Sequence, residues 1–327
     1  MKHGTRWKLE LFAENARKAK KGLRAKNAKI KRLVALIYAL EGKPLDCDAV
    51  MSSYAAIKSS EGVLSVFRGR TSLCIAAMLS LKGNPKTLFD RTVAVYDMMN
   101  KRFLKSDFLA VAALMVAVNA DPEDYPQIVS RMRSFHDGMK AQRQSYAGAA
   151  EYICTAMLAL SNADPRNDVE RIKRMYDILR PELSTETALA LAQIALASGV
   201  SDVQAADRIL KLKGMTKDRK MPLDPIMLGV LALLPSDAEA ILQDIIETQA
   251  LLRTKKGLGA LFARKQEMLL YAAAVIASGY TEDTKEDQVI AVASTGIFST
   301  IIAINAVAIA TMDPSIGILA IEVISSS

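Results

Sequence analysis

An apolar helical segment that ends in a small residue followed by Asp-Pro or Asn-Pro recurs along this chain, and the recurrence restricts it to an array of helical hairpins. Three copies align on the proline without gaps: residues 74–85 (CIAAMLSLKGNP), 111–122 (VAALMVAVNADP) and 154–165 (CTAMLALSNADP). A fourth closes at Asp313-Pro314, after AINAVAIATM. Between Pro165 and Pro314 the beat continues with other punctuation, at Ser201-Asp202, Pro235-Ser236-Asp237 and Tyr280-Thr281-Glu282. The average spacing is about 38 residues, the length of two helices and two turns.

Each repeat pairs an amphipathic helix, A, with a nearly uncharged helix, B. Ile172, Met175, Tyr176 and Leu179 recur at helical spacing with Arg171, Lys173 and Arg174 on the other face, so A helices form an outer layer. LALAQIALA at 189–197 is apolar on nearly every face, so B helices pack on nearly every face. No stretch alternates Val, Thr and aromatic residues with polar ones, so strands are not expected. The fold is therefore all-α. Residues 1–327 form a single helical-repeat domain: a basic N-terminal helix pair at 1–41 that caps the array, about seven αα-hairpins in series at 46–312, and a tail at 313–327. Such an array forms either a curved superhelix or a closed α/α toroid, and the all-round apolar B helices favour strong curvature or closure.

The B-to-A turns explain their own residues. Asn84, Asp121, Asp164 and Asp313 are predicted N-caps, and the proline that follows each occupies a position needing no donor. Ser201 with Gln204, and Ser236 with Glu239, have capping-box spacing. These recurrent acids are thus read as caps and not as catalytic carboxylates.

Residues 288–312 contain no charge and are long enough to span a bilayer. Thr295-Gly296 falls where a turn between helices is due, which makes the segment the last hairpin; a membrane anchor is not expected. No signal peptide is expected either, because the apolar stretch at 33–40 is short and late. Cys47, Cys74 and Cys154 share no ligand spacing and the only histidines are His3 and His136, so no metal site and no cofactor is expected. Cysteines without a framework fit a reducing cytoplasm. Gly257-Leu258-Gly259 lacks the rest of a dinucleotide loop and reads as a turn.

Charge placement carries the functional signal. Residues 2–32 hold twelve Lys or Arg against Glu10 and Glu14, whereas the whole chain is only +8. That segment either meets an anionic partner or is a solvated face, with Leu9, Phe12, Ala16, Ala19 and Leu23 docked on the next hairpin. The A-to-B turns carry Arg68 and Arg70; Lys101, Arg102 and Lys105; Lys140 and Arg143; Lys211, Lys213, Lys217, Arg219 and Lys220; then Arg253, Lys255, Lys256, Arg264 and Lys265. In an ordered array these cations line one edge. Helix dipoles favour cations at the ends of A helices, but not those at the starts of B helices, such as Arg70, Lys105, Arg143, Arg264 and Lys265. Arg68, Arg70, Lys217, Arg219, Lys220, Lys255, Lys256, Arg264 and Lys265 are the candidate anion-binding residues. Glu151 stands within an apolar B helix, as a buried charge for which Arg68 or Arg70 is the expected partner.

Two short strings, Leu11-Phe12-Ala13-Glu14-Asn15 and Val66-Phe67-Arg68-Gly69, give the chain a resemblance to domain-of-unknown-function family 4003, all-helical proteins mostly of spore-forming bacteria that cover nearly this length. The resemblance implies a cytoplasmic bacterial protein and carries no activity, substrate or site. It marks Phe67 as packing, Gly69 as turning and Arg68 as pairing. The expected function is a non-enzymatic scaffold for a protein or polyanion partner, the alternative being a toroid enzyme or small-ligand-binding protein with its site inside the helical ring.

Overall fold

The computed structural model describes residues 3–24, 27–60, 65–69, 71–142, 150–197, 200–234, 236–256, 258 and 265–283. Among the described residues every regular element is helical. In chain order they are α1 (His3–Gly22), α2 (Ala28–Leu40), α3 (Cys47–Ser59), a 3-10 turn (Ser65–Arg68), α4 (Ser72–Ser80), α5 (Pro85–Asn100) and α6 (Asp107–Asn119). After a second 3-10 turn (Pro122–Asp124) come α7 (Tyr125–Ala141), α8 (Ala150–Leu160), α9 (Pro165–Leu179), α10 (Thr185–Ala197), α11 (Asp202–Asp218), α12 (Pro225–Ala232), α13 (Ala238–Thr254) and α14 (Lys265–Asp283).

Periodicity decides the depth of each helix. The odd-numbered helices bury one stripe, as in α9, where Val169, Ile172, Met175 and Leu179 face inward while the Arg166, Glu170 and Arg174 face stays wet. The even-numbered helices are buried all round: residues 33–40 of α2, 109–117 of α6, 188–197 of α10 and 268–280 of α14 are continuous core. Each buried Leu or Ile contributes about 1.5–3 kcal/mol of hydrophobic stabilisation, so these inner helices hold the fold.

Every odd helix packs on the next odd one from α1 to α13, and α13 also packs on α1. Even helices do likewise from α6 to α14, α2 packs on α4, and α14 packs back on α2; the 3-10 turn at 65–68 touches both α4 and α6. The N-terminal pair, expected to cap one end, thus has neighbours on both sides. Lys8 donates from Nζ to Leu40 O (2.9 Å) and Ser278 Oγ (2.5 Å). Phe12 meets Tyr271 edge to face with centroids 5.2 Å apart. Arg32 donates from Nε and Nη2 to Glu267 Oε1, each at 2.8 Å, and the Tyr271 hydroxyl donates to the same oxygen. Burial opposes the Arg32 charge, but hydrogen bonding and charge from Glu267 outweigh it and raise the guanidinium above its usual range. Burial, then the Glu267 charge, pushes the Tyr271 phenol well up. A Cβ at Gly279 would stand 2.5 Å from Thr5 Oγ1, so α1 and α14 approach as closely as that glycine permits.

Leu9, Phe12, Ala16, Ala19 and Leu23 are buried as their spacing predicts. Lys8 and Arg32 leave the solvated set, because both enter the contact between the first hairpin and the last described one. Tyr280-Thr281-Glu282 does not break the chain there: α14 runs through it to Asp283. The hairpin expected at 281–312, with its uncharged segment 288–312, lies beyond Asp283 outside the described residues. No described helix is long and apolar enough to cross a membrane.

The caps divide. Asn84 accepts from Thr87 N (3.1 Å) and Asp164 from Arg166 N (3.1 Å), as expected. Asp121 makes no capping bond, because a 3-10 turn intervenes and α7 begins only at Tyr125. Ser201 makes none either, and α13 is capped by Asp237, one residue later than expected, which accepts from Glu239 N (2.8 Å). The two capping boxes are therefore not formed.

Candidate anion-binding edge

The ends of α11 and α13 set the geometry of the basic edge. α11 closes with Met221 N donating to Thr216 O (2.9 Å) and Lys220 N to Lys217 O (3.0 Å), the paired bonds of a Schellman turn. That turn needs a left-handed residue just past the helix, and Lys220 supplies it at φ 52°, the one non-glycine with positive φ among the described residues. The same turn ends α2, where Lys43 N donates to Tyr38 O and the left-handed position is Gly42 at φ 67°. A side chain in this region costs on the order of 1 kcal/mol relative to glycine. The α11 turn tolerates that cost and projects a lysine.

Lys265, which opens α14, donates from Nζ to the Lys220 carbonyl (3.4 Å), so its ammonium rests on the turn that closes α11. Lys217, Lys220, Lys256 and Lys265 are exposed and have no carboxylate partner among the described residues. The other candidates are engaged. Arg219 donates from Nη2 to both Glu239 oxygens, each at 2.7 Å, and Lys255 pairs with Glu10 at 2.5 Å. Lys211 pairs with Asp237 and Lys213 with Glu182. The expected separation of basic and acidic edges thus fails locally: successive outer helices are staggered, which brings Glu239 at the start of α13 to Arg219 at the end of α11.

Arg68 donates from Nη2 to Ser60 O (2.7 Å), and its own carbonyl accepts from Lys58. The carboxylate expected to pair with it, that of Glu151, lies outside the described residues. Arg70, Arg143 and Arg264 also lie outside them. Phe67 is buried in edge-to-face contact with Phe89 and Tyr96, as its packing role requires. A Cβ at Gly69 would stand 3.2 Å from Asp107 Oδ2, so that glycine serves a close approach.

A second set of cations escaped the sequence reading. Seven residues after a helix N-cap stand Arg91, Arg131, Arg171 and Arg208. Arg131 donates from Nη2 to Ser161 O (2.6 Å) and Ala163 O (2.7 Å); Arg208 reaches Leu234 O (2.6 Å) and Ser236 O (3.1 Å) in the same way. Arg171 binds Asp202 at 3.0 Å. These three neutralise the orphan carbonyls, or the acid, at the next hairpin's inner-to-outer turn. The offset was visible in the sequence from Asn84 to Arg91, Asp164 to Arg171 and Ser201 to Arg208, but not at Arg131, because the sequence placed that cap at Asp121 and not at Asp124.

Other chemistry-bearing residues have structural surroundings. Cys74 is fully buried and burial pushes its thiol up to about 12. Cys154 is also buried, and no group of His, Cys, Asp or Glu with metal-binding geometry occurs among the described residues. His136 Nδ1 lies 3.2 Å from Asp137 Oδ1, and the hydrogen bond from His136 lowers the Asp137 carboxyl.

The profile of a family described as protein of unknown function (DUF4003) matches residues 15–310. No curated protein and no solved structure matches the chain.

Proposed function

Since the chain belongs to the DUF4003 family, whose description assigns no activity, we propose from its own geometry a helical-repeat scaffold, closed into an α/α ring, that holds an anionic macromolecule on its basic edge. Packing of α1 on both α13 and α14, and of α14 on α2, supports closure. Seven hairpins, from α1–α2 to α13–α14, then make up the ring, and the whole length acts as one domain.

The observation that carries the binding reading is Lys220. A lysine is kept in a left-handed position that glycine fills at lower cost, and Lys265 of the next hairpin sits against its carbonyl. The left-handed strain at this exposed lysine is unfavourable for the free protein and is offset when an anion binds the cations that the turn presents. Lys217 and Lys256 extend the same surface. Free cysteines fit a reducing compartment, so the proposed setting is the cytoplasm.

Retention of the purified chain on immobilised heparin and on single-stranded RNA tests this. The wild type is expected to bind near physiological salt, with affinity falling steeply as salt rises because counterions are released. K217E/K220E/K256E/K265E should abolish retention. Lys220→Gly should weaken retention while raising stability by about 0.5–1 kcal/mol, since it relieves the left-handed strain. Passage of the wild type through both columns near physiological salt, or undiminished retention of the quadruple variant, would remove the reading.

A further inference from the structure

Between α5 and α6 the arginine register is interrupted, and a cleft of about 250 Å³ opens beside it, lined by Lys82, Asn84, Thr87, Arg91, Ala117 and Val118. At the equivalent positions Arg131 and Arg208 lay their guanidinium groups on the next turn's carbonyls and Arg171 meets Asp202. The Arg91 side chain makes no hydrogen bond or ion pair among the described residues, nor does that of Lys82. Asn84 Oδ1 is committed to Thr87 N (3.1 Å), which leaves its amide nitrogen as a donor. The Ala117 carbonyl accepts from the Tyr125 hydroxyl at 3.5 Å. The polar side chains available to a ligand are therefore donors: an ammonium, a guanidinium, an amide nitrogen and the Thr87 hydroxyl. No carboxylate lines the cleft. Asp121 lies outside it, near enough to Tyr125 to act on that phenol together with Arg91, whose charge pulls in the opposite direction.

We propose that this cleft binds a phosphate group, held by the Arg91 fork and the Lys82 ammonium with Asn84 and Thr87 as neutral donors. A phosphate offers several acceptor oxygens and up to two negative charges, which matches two cations and two neutral donors, and guanidinium binds it bidentately. Size supports a small group: the cleft is below the range of about 300–1,000 Å³ that encloses a drug-sized ligand. It therefore takes free phosphate or the phosphoryl end of a larger molecule whose remainder stays outside. The site lies at an inner-to-outer turn, away from Lys217, Lys220, Lys256 and Lys265, and does not depend on the polyanion reading.

Isothermal titration with inorganic phosphate and, separately, glycerol 3-phosphate, each against sodium chloride of matched ionic strength, tests the proposal. Saturable binding of at least one is expected, and the stronger of the two identifies the source of the group. K82Q/R91Q should weaken that binding at least tenfold, and because both side chains are exposed its unfolding midpoint without ligand should match the wild type. K217E/K220E/K256E/K265E should bind phosphate as the wild type does, even where it has lost heparin. Absence of saturable binding by either compound beyond chloride, or equal binding by K82Q/R91Q, would overturn the site.

Discussion

Lys8 Nζ lies 2.5 Å from Ser278 Oγ, inside a contact where neither residue reaches solvent. One bond thereby ties the first helix to the last described one, 270 residues apart. A buried ammonium persists only while its donors are satisfied, and Leu40 O provides the second acceptor.

Lys8→Ala should therefore cost about 3 kcal/mol, because it removes the charged bonds to Leu40 O and Ser278 Oγ and leaves a void along the lysine stem. Lys18→Ala, on an exposed face of the same helix, should change stability by less than about 0.5 kcal/mol. Urea unfolding of both variants checks this. Equal effects would mean that the α1–α14 contact contributes nothing to the folded state in solution.

The arginine register predicts a graded series. Arg131→Ala and Arg208→Ala should each lose about 1–3 kcal/mol, since each removes charged hydrogen bonds to two turn carbonyls. Arg91→Ala should lose less than about 0.5 kcal/mol in phosphate-free buffer, because it breaks no such bond. Thermal unfolding of the three variants decides whether partners, and not mere recurrence, set the value of the position.

Caps behave likewise. Asp164→Ala should cost about 1 kcal/mol by removing the bond to Arg166 N, whereas Asp121→Ala, which breaks no capping bond, should be close to neutral. A comparable loss at both sites would show that Asp121 caps α7 in solution.

Cys74 gives a pH test. Burial raises its folded thiol to about 12 from an ordinary value of 9.0. A raised folded pKa means the unfolded chain gives up its proton first, so the contribution is fully present below pH 9 and is lost between about 9 and 12. Stability should decline over that window, and Cys74→Ala should decline less steeply although it is less stable at pH 7. A thiol reagent at pH 8 should modify Cys74 only as fast as the protein unfolds.

The all-helical class and the two helix types were legible because a 3.6-residue period and its absence are properties of neighbouring residues. Val169, Ile172 and Leu179, or residues 188–197, needed no knowledge of the rest of the chain. The candidate edge was legible only as a set of charges. Which of them are free depends on stagger between hairpins: Arg219 meets Glu239 and Lys255 meets Glu10 through space, and no local pattern encodes those pairs. Lys8 read as a surface lysine because its burial is caused by α14. Lys220 gave no sign of its left-handed backbone, since the residue that ordinarily announces such a turn is glycine, as at Gly42. Asp121 misled because Asp-Pro opens a 3-10 turn as readily as an α-helix.

The packing of α1 on α14 also sets an order of events during synthesis. The first hairpin emerges with one flank waiting for a helix that begins at Lys265. At translation rates of about 5–20 residues per second, that flank remains without its partner for roughly 10–50 s. Lys8, Phe12 and Arg32 spend this interval with their final neighbours unmade, and the nascent chain then depends on chaperones, or on its own later hairpins, to keep that surface from pairing elsewhere.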